Sequence, residues 1–110
     1  MEYWLLFWQG TDGALSDEQV AVRLRRGEWA CAQASDQVLG FRRDLIASDP
    51  DWTTLRLLPR PGSDQPADRY LALLFDAPPA LDQLRDLRYV AARNRLKMFE
   101  ARPGSTSVSH

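Results

Sequence analysis

The chain has 110 residues, a formal net charge of −1, and 45% hydrophobic against 26% charged residues. That is the size and balance of one small folded domain, too charged for a membrane span and too apolar for a disordered chain. A single Cys and a single His exclude a disulfide framework and a Cys/His zinc site within the chain, and they remove the usual nucleophile–base pairs of enzymes.

From the N-terminus, Tyr3-Trp4-Leu5-Leu6-Phe7-Trp8 is an unbroken apolar run that ends at the turn-forming Gly10 and Gly13. A run without alternation reads as a strand buried on both faces. Bounded by Glu2 and Gln9, it is too short for the apolar core of a secretory leader. Nothing approaches the ~20 apolar residues of a membrane helix, and a cytoplasmic location is expected. Ser16 carries the marks of a helix start. Gln19, three residues on, can close a capping box; Asp17 and Glu18 suit the positive end of the helix dipole; Leu15 and Val20 hold the staple positions. Arg23, Arg25 and Arg26 at the other end, with Gly27 beyond them, set a helix over 17–26.

Residues 29–33 and 38–41 flank a polar turn at 34–36 and read as a hairpin of two short strands. Stretch 44–51 is ambiguous and is read as one helical turn closed by Ser48-Asp49-Pro50-Asp51. Leu55 and Leu57 alternate with Thr54 and Arg56, which predicts a half-exposed strand over 53–58. Residues 59–68, with three Pro and one Gly, form a loop. Residues 69–75 are a second strand without alternation. Asp76 is placed to cap the next helix, with Pro78 and Pro79 tolerated in its first turn. Leu81, Leu84, Leu87 and Ala91 then make an apolar stripe at helical spacing, stopping where Asn94 takes a left-handed conformation. A last strand over 96–100 follows. Residues 1–102 are read as one domain and 103–110 as a flexible tail.

The order strand, helix, hairpin, strand, strand, helix, strand predicts an α+β fold. Its expected form is a two-layer sandwich in the ferredoxin-like split β-α-β arrangement, with an extra hairpin. There the strand before each helix lies centrally, and those are the two strands apolar on both faces. Helices on one side of the sheet leave the other side apolar, and a large apolar face usually marks an interaction site.

Thirteen of the fourteen basic residues are Arg, and charge is segregated. From Asp44 to Asp68 the balance is −3, and from Arg85 to Arg102 it is +4. Trp52, beside Asp49 and Asp51 on a loop, is placed as an aromatic anchor among carboxylates for a basic partner surface. The basic end carries no aromatic interleaving or glycine-rich loop, which argues against nucleic acid. Cys31 sits in an apolar stretch without a base near it, the behaviour of a small hydrophobe.

Trp4, Gly10, Gly13, Ser16, Leu24, Gly27 and Trp52 stand in an order that resembles the GYF-type peptide-binding domains of bacteria, over about half the chain. Ala14 replaces the Pro of that pattern. The resemblance implies stacking of Trp4, Trp8 and Trp52 on a proline-rich peptide. In size and layout the whole chain is also similar to small bacterial immunity proteins that neutralise toxins. The expected function is therefore non-catalytic: an immunity or inhibitor protein that occludes a toxin, with Asp49, Asp51, Trp52, Trp4 and Trp8 as contact residues. The alternatives are a homodimer enclosing a small ligand and a proline-rich peptide binder. No cofactor, metal, catalytic residue, nucleic acid or membrane enters this reading; the partner is another protein or a second copy of the chain.

Overall fold

The computed structural model describes residues 3–11, 13–48, 57–59, 66–76 and 79–101. In chain order these form β1 (Tyr3–Trp8), α1 (Asp17–Arg25), a 3-10 turn (Trp29–Cys31), α2 (Asp36–Ser48), β2 (Leu57–Leu58), β3 (Leu71–Phe75), α3 (Leu81–Arg93) and β4 (Lys97–Ala101). The strands make one sheet in the order β2-β3-β1-β4, every neighbouring pair antiparallel. This is the split β-α-β order, with β1 and β3 central as the two apolar runs require.

Alternate residues of the central strands enter two cores. Tyr3, Leu5 and Phe7 of β1, with Leu57, Leu71 and Leu73, pack with Val38, Phe41 and Leu45 of α2 and with Leu87 and Ala91 of α3. Phe7 and Phe41 meet with ring centroids 4.7 Å apart. This is the two-layer α+β sandwich. On the opposite face Leu6, Trp8 and Ala72 are buried with Val20, Ala21 and Leu24 of α1. Each large side chain so enclosed contributes about 1.5–3 kcal/mol relative to exposure. Helices on both sides are thus the physical reason why β1 and β3 show no alternation.

The apolar face expected to stay open is consequently closed over Leu6 and Trp8 by α1, while Trp4, Leu58 and Leu74 remain half-buried on it. The cap of α1 has the expected form. Ser16 Oγ accepts from the Gln19 amide at 3.2 Å, and Gln19 Oε1 accepts from the Ser16 amide at 2.9 Å. At its end, Gly27 (φ 81°) closes the helix with Gly27 N–H donating to Leu24 O and Glu28 N–H to Arg23 O.

Three local expectations are corrected. Residues 29–33 and 38–41 are not a hairpin but the 3-10 turn and the first half of α2. Ser35 Oγ accepts from the Gln37 amide, and Val38, Phe41 and Leu45 then recur at helical spacing into the core. Asp76 does not cap α3; Ala80 holds the N-cap position without a side-chain bond. The left-handed residue after α3 is Arg95 (φ 59°), one position beyond Asn94. Most of the expected strand over 53–58, most of the 59–68 loop and the 103–110 tail lie outside the described residues.

Candidate functional site

The expected contact residues fall in different places. Trp8 is 1% exposed and lies against Phe99, with centroids 6.5 Å apart. A partner meeting this surface does not reach its ring. Trp4 is half-buried on the α1 side of the sheet, with the Arg25 guanidinium 5.5 Å from its ring centroid. Asp49, Asp51 and Trp52 lie outside the described residues. Trp29 in the 3-10 turn is half-buried beneath Arg69, 5.1 Å away, and Arg69 Nη1 also donates to Ala32 O at 2.8 Å. The Cys31 thiol donates to Glu28 O at 3.4 Å. Among the described residues no group of three or more His, Cys, Asp or Glu is placed to hold a metal ion, and no helix is long and apolar enough to cross a membrane.

A surface that the sequence reading missed lies on α3. Leu81 is 79% exposed and Tyr89 64% exposed. Leu84, Leu87 and Ala91 set the inner line of this helix, and at about 100° per residue Leu81 is turned roughly a quarter of the circumference from it. Tyr89 is on the outer side. Arg85 lies between them, and Arg88 lies beside Leu81 toward the inner line. The apolar stripe read from sequence therefore begins one turn too early: Leu81 shares the spacing of Leu84 but not the burial of Leu87. Tracking the helix angle residue by residue, rather than counting i+3 steps, separates the two.

Between α3 and β4 runs a groove of about 390 Å³ lined by Leu81, Leu84, Arg85, Arg88 and Glu100. Glu100 is fixed from both sides: Tyr3 OH donates to its Oε2 at 2.9 Å and Arg88 Nη2 to its Oε1 at 3.1 Å. Because Tyr3 is buried and Arg88 is exposed, these bonds link the core to the rim of the groove. The Arg85–Asp82 pair, 3.3 Å, is exposed and adds little to stability. β4 ends the sheet on this side, so its outer backbone groups have no strand partner among the described residues.

A second polar feature is internal. Arg42, on the inner side of α2, is 9% exposed; its Nη1 donates to Pro59 O at 3.0 Å, while Nε and Nη2, both enclosed, have no acceptor among the described residues. Each buried donor left unmatched costs about 1–3 kcal/mol. Burial holds the Arg42 guanidinium below its usual range, with the neighbouring Tyr70 opposing that shift. Burial also pushes the Tyr70 phenol up, with Arg42 opposing.

No family model, curated protein or solved structure matches the chain.

Proposed function

We propose that the protein works by non-catalytic contact with another protein, in the manner of a small bacterial immunity or inhibitor domain that covers its partner's working surface. The observation that carries this reading is the outward stripe of α3, where Leu81 and Tyr89 stand in solvent beside Arg85 and Arg88. Interfaces draw most of their binding free energy from a few Tyr, Trp and Arg side chains. The adjacent edge of β4 offers main-chain groups to the same partner. Residues 81–101 hold five basic against three acidic side chains, which suits a partner with an apolar hollow rimmed by carboxylates. Asp49, Asp51 and Trp52 stay in the proposal as a second contact of opposite charge.

The product of the adjacent gene is the first partner to test, by titration calorimetry. Tyr89→Ala is expected to weaken the complex roughly 30-fold, about 2 kcal/mol, with an unchanged far-UV spectrum. Full affinity in both Tyr89→Ala and Leu81→Asp removes α3 as the contact. Loss in Trp52→Ala alone moves the interface to the acidic region. No complex at ~100 μM, far above useful inhibitory constants, removes the immunity version.

A further inference from the structure

We propose that the groove between α3 and β4 takes an extended peptide segment of the partner, added to the sheet beside β4, with a bulky apolar residue followed two positions later by Asp or Glu. The site rests on the reading of α3 as a contact surface and gives that surface a partner chemistry. β4 pairs with β1 at five consecutive positions without a bulge, from Trp8↔Lys97 to Trp4↔Ala101. Its other edge has no strand partner among the described residues. Proteins commonly blunt such an edge with Pro, a bulge or a Lys. Lys97–Ala101 contains no Pro, and the Lys97 ammonium is drawn onto Asp17, Nζ to Oδ1 3.1 Å. The edge therefore offers an unblocked row of main-chain groups, which an extended peptide can pair with.

α3 supplies the other wall. The chain reverses after α3, with Leu96 N–H donating to Ala91 O at 2.9 Å, so helix and strand run side by side in opposite directions and Arg88 meets Glu100. One flank of α3 packs Val90 against the core. The opposite flank carries Leu81, Leu84, Arg85 and Arg88, which with Glu100 line the open groove of about 390 Å³. Residues four apart on a helix rise about 6 Å, and alternate residues of a strand about 6.7 Å. Side chains on one face of an added strand thus keep step with Leu81 to Arg85 and Leu84 to Arg88. Every pair in this sheet is antiparallel. A strand added antiparallel to β4 runs in the direction of α3, so its apolar side chain meets the two Leu and the next one on that face meets the two Arg. Charge selects that second residue. Both oxygens of Glu100 are already engaged, by Tyr3 OH and Arg88 Nη2. A guanidinium has five N–H donors; Arg85 engages Asp82 through Nη2 alone, and Arg88 engages Glu100 through Nη2 alone. The remaining donors suit an incoming carboxylate.

The probe is a random library of capped octapeptides selected against the full chain, with the best binder then followed by amide hydrogen exchange. Enrichment of a bulky apolar residue with Asp or Glu two positions after it is expected, together with new protection of β4 amides. N-methylation of the peptide amides that face β4 is expected to abolish binding, and N-methylation of the alternate amides to spare it. R85E, at an exposed position, is expected to bind that peptide about tenfold more weakly and to recover when the peptide's acidic residue is replaced by Lys. Enrichment of Lys or Arg at the acidic position, or no binder below about 1 mM, overturns the proposal. So does protection of β4 amides that rises with protein concentration without peptide, which assigns the edge to a second copy of the chain. Tyr89 does not line the groove, and this separates the strand from the contact reading. A partner complex that Tyr89→Ala weakens, while β4 amides exchange as in the free chain, keeps the contact and removes the added strand. A peptide that binds the groove when the adjacent gene product does not keeps the strand and removes the immunity version.

Discussion

Burial acts on Arg42 and Tyr70 in the same sense, disfavouring charge on both, and for Tyr70 the consequence is measurable. The folded phenol holds its proton to higher pH than the unfolded one, chiefly because burial penalises phenolate, with Arg42 offsetting part of this. The unfolded chain therefore releases that proton first. The resulting stabilisation is complete below the ordinary phenol value of about 10 and is lost as pH rises through the folded value. Arg42 moves the opposite way, and its penalty is constant across the neutral range because both states stay charged there. Tyr70→Phe keeps the ring and deletes the proton. Urea unfolding between about pH 9 and 11 should show a shallower alkaline loss of stability in the variant than in wild type. Equal slopes would assign that loss to other groups. Aromatic identity alone does not report role at this scale: Trp8 and Tyr89 are both large rings, and one is enclosed while the other stands in solvent.

At the scale of elements, α1 and α3 end in the same hydrogen-bonded motif with different residues at the critical position. After α1 it is Gly27; after α3 it is Arg95 at φ 59°, with Arg95 N–H donating to Ala92 O and Leu96 N–H to Ala91 O. A side chain in that conformation carries a cost that glycine avoids. Arg95→Gly is expected to stabilise the fold by about 0.5–1 kcal/mol, read as a higher urea midpoint at unchanged m-value. The contrast also explains what was legible. α1 was readable because Ser16, Gln19 and Gly27 bond locally, so neighbouring residues contain the whole signal. β1 and β3 were readable for a related reason, since two buried faces leave an unbroken apolar run. The start of α2 was not, because Gly40 in the middle of its first turns looks like a strand-and-turn residue. A Cβ at that position meets Asn94 Oδ1 at 3.6 Å, an ordinary contact, so the glycine answers no steric demand. The helix is instead set by Val38, Phe41 and Leu45 reaching a sheet that folds from distant residues. The exposed stripe of α3 was missed for a simpler reason: Leu81 keeps the i+3 spacing of Leu84, while the helix angle turns it away from the core that encloses Leu87.

For the whole molecule, the placement of α1 decides how the two cores depend on each other. The sheet, α2 and α3 already enclose one core; α1 closes the second, meeting the sheet chiefly at β4 and leaving Trp4, Leu58 and Leu74 half-covered. A helix held to the sheet through one face should open at lower free energy than the central strands, which are enclosed on both. Amide hydrogen exchange tests this directly. The α1 amides are expected to exchange at a lower free energy than those of Leu5, Leu6, Leu71 and Leu73. Leu24→Ala sharpens the experiment, because it removes a buried side chain from α1 at a cost of about 2–5 kcal/mol. If α1 opens by itself, the variant accelerates exchange in α1 far more than in β1 and β3. The exposed Trp8 should then shift its emission to the red while far-UV strand signal persists. Equal acceleration in α1 and in the central strands would show the two cores melting as one unit. In that case α1 is part of the framework that holds α3, and a partner bound at the contact surface proposed on α3 would protect α1 as strongly as the sheet.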